Sequence, residues 1–301
     1  MSIDLSLVPA PALIDPLDYE AILTARKAAL VALWPEADRP ALEATLAIEG
    51  EALTLFLEES AYRELLLRAR INDAARAVML AYAAGTDLDQ IGANYGVQRL
   101  TLTPANPSAV PPVAAVLEAD PDYRARILLS LAALSVAGPE DAYLYHAQSA
   151  DPRVAHVTAQ SPTPGDVLIT VLGRDGNGTP PGDLLTNVTA ALTAKSVRPL
   201  TDHVTVQAPT IVPFSVTASL STYPGPDAAV VLAQAQAELA AYLASVRKIG
   251  YDITLSGIYG ALQRPGVHRV TLTSPTADIV INDSSAGHCT AAAITLASTG
   301  T

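Results

Sequence analysis

The spacing of hydrophobic positions changes partway along the chain, and the change predicts two architectures in series. In the first third, Ile22, Leu23, Leu30 and Leu33 recur at roughly helical spacing, with Arg26 interrupting the stripe. This predicts a helix over 19–33 with Asp18 as its N-cap. Pro35 and Pro40 break the chain. From Ala41 to Ala84, Leu42, Leu46, Leu53, Leu57 and Leu65 return near helical spacing, while Glu58, Glu59, Arg63, Glu64, Arg68 and Arg70 mark a polar side. Gly50 is the weak point. The run is one helix of about 65 Å, at 1.5 Å per residue, or two shorter ones. Gly85 is expected to stop it, and 87–100 to form a short helix and turn. A long helix needs its apolar stripe covered, either by the same chain or by other chains, and periodicity does not choose between them.

Pro104, Pro107, Pro111 and Pro112 make 101–113 a linker or extended arm. Helices are predicted over 122–137, ended by Gly138-Pro139, and over 140–150. From Val154 strand patterns appear, at 154–160, 167–172, 203–207, 212–220, 267–273, 278–281 and 291–296. Helices at 183–195, 227–247 and 255–263 fall between them.

Part of this half repeats. Pro152, Val154, Val157, Thr158 and Ser161-Pro162-Thr163 parallel Pro265, Val267, Val270, Thr271 and Ser274-Pro275-Thr276. Each copy follows a short helix and precedes an acidic-aliphatic run, Asp166–Ile169 or Asp278–Ile281. The predicted fold is α+β: an N-terminal helical bundle region, then two related small α/β domains of helix plus antiparallel sheet. The expected boundaries are 1–100, a proline-rich arm at 101–121, and domains at 122–208 and 209–301.

Composition narrows the function. Half the chain is hydrophobic and 16% is charged, enough apolar material for sizeable cores. The net charge is −12 and the 18 basic residues are scattered. Nucleic acid is bound mainly by neutralising its phosphates, so nucleic acid and an anionic membrane surface are poor partners. Cys289 is the single cysteine, which excludes a disulfide within the chain. No uninterrupted apolar run reaches membrane-spanning length, so membrane insertion is not expected. Met1–Ala12 lacks the basic start of a signal peptide, pointing to assembly in the cytoplasm.

Candidate chemistry is sparse. Gly176, Gly178 and Gly182 lie between a strand and a helix, but their spacing is wrong for a dinucleotide loop and Pro180-Pro181 remove two donors. Asp175-Gly176-Asn177-Gly178 hints at calcium without the further acidic ligands a loop needs. His146, His156, His203, His268 and His288 show no metal-binding spacing, and His288-Cys289 stands without neighbours. No nucleophile elbow occurs. Neither cofactor, metal nor catalytic residues are expected.

One resemblance is specific. Ile14–Leu23, Arg26–Leu30, Glu59-Ser60-Ala61-Tyr62-Arg63-Glu64-Leu65, Arg68–Ala83, Gly85–Asp89, Tyr95-Gly96-Val97 and Arg198–Asp202 resemble the baseplate assembly protein J family of contractile phage tails and R-type pyocins. The resemblance implies a non-enzymatic wedge subunit of the baseplate around a central hub. It implies a heterotrimer of two J-like chains with a smaller tail protein I-like partner. Contacts with further copies and with hub and sheath-proximal proteins follow from it, as does rearrangement on sheath contraction. The partner-binding helical seam expected on this basis is Leu53, Phe56, Leu57, Tyr62, Leu65 and Leu66, with Arg63, Arg68, Arg70 and Arg76 forming charge pairs across it. The alternatives are a receptor-binding module or a hydrolytic tail protein.

Overall fold

The computed structural model describes Leu5, Val8 and residues 16–135, 137–225 and 227–299. Apart from Leu5 and Val8, the Met1–Ala12 stretch and Ile14-Asp15 lie outside the described residues. The chain divides into two compact units, 2–98 and one beginning at Arg99.

The first unit is helical. Helix α1 (Tyr19–Leu33) starts where its pattern predicts, and the Asp18 carboxylate accepts the Ala21 N–H at 3.0 Å. The following run is two helices, α2 (Arg39–Leu46) and α3 (Ala52–Ala77). The break falls at the glycine, where interior helix is least stable, and Glu51 is extended, with ψ 135°. That turn lets Leu42 and Leu46 pack with Ile22 and Leu23 of α1 and Leu57 and Ala61 of α3. Helix α3 ends at Ala77, short of the predicted Ala84; the chain turns there so that Ala83, bonded through its N–H to the Met79 carbonyl, is buried. Gly85 does not stop a helix. With φ +54° it opens α4 (Gly85–Asn94), which buries Leu88.

The second unit begins with a hairpin. Strands β1 (Thr101–Thr103) and β2 (Val116–Leu117) pair antiparallel, and Asn106 bridges Val113. The proline-rich stretch is therefore a folded ribbon rather than bare linker. Helices α5 (Asp120–Ser130) and α6 (Glu140–Ala150) follow. The predicted helix over 122–137 ends early, in a 3-10 turn at Ala132–Leu134.

Two small α/β modules complete this unit. In the first, β3 (Val154–Gln160) and β4 (Asp166–Gly173) form an antiparallel pair, and α7 (Gly182–Leu192) carries the chain over to β5 (His203–Gln207), parallel to β4. Tyr143, Ala147, Ile169, Val171, Leu184 and Val188 close its core. In the second, β6 (Thr210–Thr222) leads through α8 (Ala228–Ser245) and α9 (Leu255–Leu262) to β7 (Val267–Ser274) and β8 (Ser285–Thr299). The order is β7-β6-β8, antiparallel on one side and parallel on the other. Both sheets are thus mixed, each with one parallel pair. Val216, Leu220, Leu239, Ile253, Ile258 and Leu262 anchor the second core. Helix α8 is long and apolar enough to cross a membrane by length and composition, but it packs on this core through Val231, Ala235 and Leu239.

The repeat survives only in part. Both copies begin with a strand after a short helix. The strand predicted at Asp278–Ile281 is absent, and Ile279 makes only an isolated bridge to Ile253. The physical reason is occupancy: β6, which precedes the helices, fills the central place that β4 fills in the first sheet.

Candidate assembly surfaces

The structure divides the predicted seam on α3. Leu57 is buried, and Leu53 and Leu65 pack against the same cluster, so these three close the chain's own helical core. Phe56, Tyr62 and Leu66 point outward, with 67%, 54% and 52% of their surface exposed. Leu55, Leu67 and Ile71 join them. A helix buries one stripe and turns the opposite side to solvent, and this helix carries large apolar residues on both sides. The arginines also separate. Arg68 and Arg26 both donate to Glu64, each with a 2.6 Å bond, tying α1 to α3 and lowering the Glu64 carboxyl below its usual range. Arg63 pairs with Glu59 one turn earlier, Arg76 lies 3.9 Å from Asp73, and Arg70 is exposed. An open groove between α1 and α2, lined by Ala28, Val31, Ala32, Leu46 and Ala47 with Lys27 and Arg39 at its rim, adds about 700 Å³.

The ribbon β1–β2 is a second exposed surface. No charged residue occurs from Thr101 to Leu117, and Val110, Val113, Val116 and Leu117 are all at least half exposed. Its root is firm. Glu118, 3% exposed, accepts two bonds from Arg126 at 3.0 and 2.7 Å and one from the Leu100 N–H at 3.1 Å. Arg99 donates to the Glu118 carbonyl, pairs with Asp120 at 2.7 Å and stacks over the buried Tyr123 ring. Arg126 lies against the same ring and reaches Ser149 of α6. The sequence singles out none of these residues. The signal, two arginines either side of one tyrosine and a lone glutamate before a helix, gains meaning only once the hairpin brings Leu100 beside Glu118.

The two modules meet at a third feature. Leu172, Ile249 and Ala286 are buried together, with Ala155 and Ile211 against them. The Ile249 N–H donates to His156 Nδ1 at 3.2 Å, Thr158 donates to the Asp283 carbonyl, and Arg247 to that of Gly176. Burial, aided by the Lys248 ammonium, pushes His156 down to about 4. The glycine loop at 176–178 contributes its backbone to this contact. Among the described residues no group of three or more His, Cys, Asp or Glu side chains converges as a metal site.

Three family models match in succession: a baseplate J-like N-terminal domain over residues 49–106, a central domain over 135–208 and a C-terminal domain over 214–295. Baseplate protein J of Escherichia phage P2 is 51% identical over 288 residues, covering 96% of this chain and 95% of that protein. This chain belongs to the baseplate J-like family. A chain of the anti-feeding prophage baseplate, solved by cryo-EM with 6-fold symmetry imposed, aligns with this J-like chain at TM-score 0.39 and 15% identity, over 60% of this chain and 43% of that one. The three J-like matches fall on α3 and α4 with the start of the ribbon, on α6 with the first module, and on the second module.

Proposed function

We propose that this chain is a structural subunit of a contractile-tail baseplate, assembled in the bacterial cytoplasm and retained in the virion or tail particle. In this reading it stands in a wedge around the central hub. Two copies join a smaller tail protein I-like partner, further copies link neighbouring wedges, and the contacts repack when the sheath contracts. The observation that carries it is the match, along almost the full length of both chains, to a phage baseplate protein. The outward apolar residues of α3 support it, since a lone helical unit has no use for Phe56, Leu66, Leu67 and Ile71 in water. The partner-binding seam is accordingly Phe56, Tyr62 and Leu66, extended by Leu67 and Ile71, with Arg63, Arg70 and Arg76 beside it; Leu53, Leu57 and Leu65 hold the helix in place.

Co-expression with the adjacent small tail protein, followed by light scattering on the purified species, tests this. A stable complex with two J-like chains per partner is expected. Phe56→Asp with Leu66→Asp should abolish it while leaving the helical circular dichroism unchanged. A chain that stays monomeric beside that partner overturns the wedge arrangement.

A further inference from the structure

We infer that His156 is an acid-released latch between the two α/β modules, holding the 246–253 segment of the second against β3 of the first. The geometry carries this. Segment 246–253 joins α8 to α9; Ile253 is buried in the second module's own core, whereas the buried Ile249 faces the first module, bridged to Ala286 of β8 and packed on Leu172 of β4. Its N–H needs an acceptor where water is excluded. The acceptor is a side-chain ring nitrogen, His156 Nδ1, rather than a carbonyl. A ring nitrogen accepts only while unprotonated, because both nitrogens of a charged imidazole are donors. This one backbone bond across the junction therefore exists in a single protonation state, which a carbonyl acceptor would not impose.

The surroundings make the protonated state costly. Lys248 is the nearby cation, lying over the Tyr251 ring, which meets His156 edge-on at 6.1 Å between centroids. Arg247 is committed to the Gly176 carbonyl. Asp283, before β8, presents its backbone carbonyl to Thr158 and its carboxylate toward Gly250. On the strands themselves the neighbours Ala155, Val157 and Leu172 carry no charge. Protonation thus places a second positive charge beside Lys248, removes an acceptor and sets two donors against each other.

The sign follows from linkage. In the closed junction the imidazole titrates at about 4, against 6.5 when released. Above pH 6.5 both states are neutral and the latch is shut. Between 6.5 and 4 only the released state takes the proton, so the opening equilibrium rises about tenfold per pH unit, and below 4 it levels off.

Hydrogen exchange of the Ile249 amide tests this, reported as the ratio of wild type to His156→Asn at each pH so that intrinsic exchange rates cancel. Asparagine keeps an acceptor near the Nδ1 position but does not titrate. The ratio should be near one at pH 7.5 and rise more than tenfold by pH 5. A ratio that stays flat from pH 7.5 to 4.5 overturns the latch. Should His156→Asn loosen the segment already at pH 7.5, the NMR titration of the His156 ring in the wild-type chain decides. A midpoint below 5 that moves upward in Lys248→Gln supports the latch, and one near 6.5, or one that Lys248→Gln leaves in place, refutes it.

Discussion

Replacing Arg126 by methionine should cost about 3–5 kcal/mol. The two charges are 4% and 3% exposed, and the guanidinium meets the carboxylate through two bonds at 3.0 and 2.7 Å. Removing one partner of such a pair strands the other away from water, and that stranded charge is what makes the loss large. Methionine keeps the stem volume, so packing loss against Tyr123 contributes little. The losses are also expected to be non-additive. In Glu118→Gln with Arg126→Met no charge is stranded, and the amide oxygen still accepts from Leu100; the double variant should be about 2 kcal/mol more stable than Arg126→Met alone. Urea unfolding of the wild type, both single variants and the double gives the cycle. Hydrogen exchange at Leu100, whose N–H reports on the ribbon's root, localises the effect. An Arg126→Met loss under about 1 kcal/mol, or single-variant losses that add, would refute the reasoning.

Three further outcomes follow from the structure. Asp151, 5% exposed and held by Arg153 through three bonds and by Asn187, sits at about 2 against an ordinary 3.8. Its contribution, about 2 kcal/mol, is complete above 3.8 and lost as pH falls through 2, so the acid unfolding curve of Asp151→Asn should lack that component. Gly257→Ala would drive a methyl into the Tyr242 ring, which is locked to Thr254 by its hydroxyl, and should lower stability by about 1–3 kcal/mol in thermal denaturation. Asp18→Ala removes the cap of α1 and should cost about 1 kcal/mol by the same measurement.

Local signals were legible in the sequence at several elements, though not at Gly85, which opens a helix instead of stopping one. Tyr19–Leu33 with its Asp18 cap, Glu140–Ala150, Val154–Gln160 and His203–Gln207 match their predicted bounds. Features decided by distant residues were not. The 278–281 run has strand composition, but whether it joins a sheet depends on β6, which lies more than fifty residues earlier. Leu53, Leu57 and Leu65 are large and apolar, as are Phe56, Tyr62 and Leu66, and only the position of α1 and α2 decides which set turns inward. The Glu118–Arg126 pair and the His156 contact lie in the same class. Each is a single polar side chain whose partner arrives through tertiary folding, and a lone Glu or His carries no periodicity to reveal it.

The order of strands in the second sheet also sets a timetable. In the first module β3 and β4 are neighbours in sequence and can zip together as soon as both have left the ribosome. Strand β6 is central, yet both its partners, β7 and β8, come after it in the chain. During vectorial synthesis its thirteen residues emerge with both edges bare, and they stay so until two helices and two further strands have been made. The second module is therefore the slow, association-prone step of biogenesis, and the interval before β8 arrives is when stray strand pairing between nascent chains competes with correct folding.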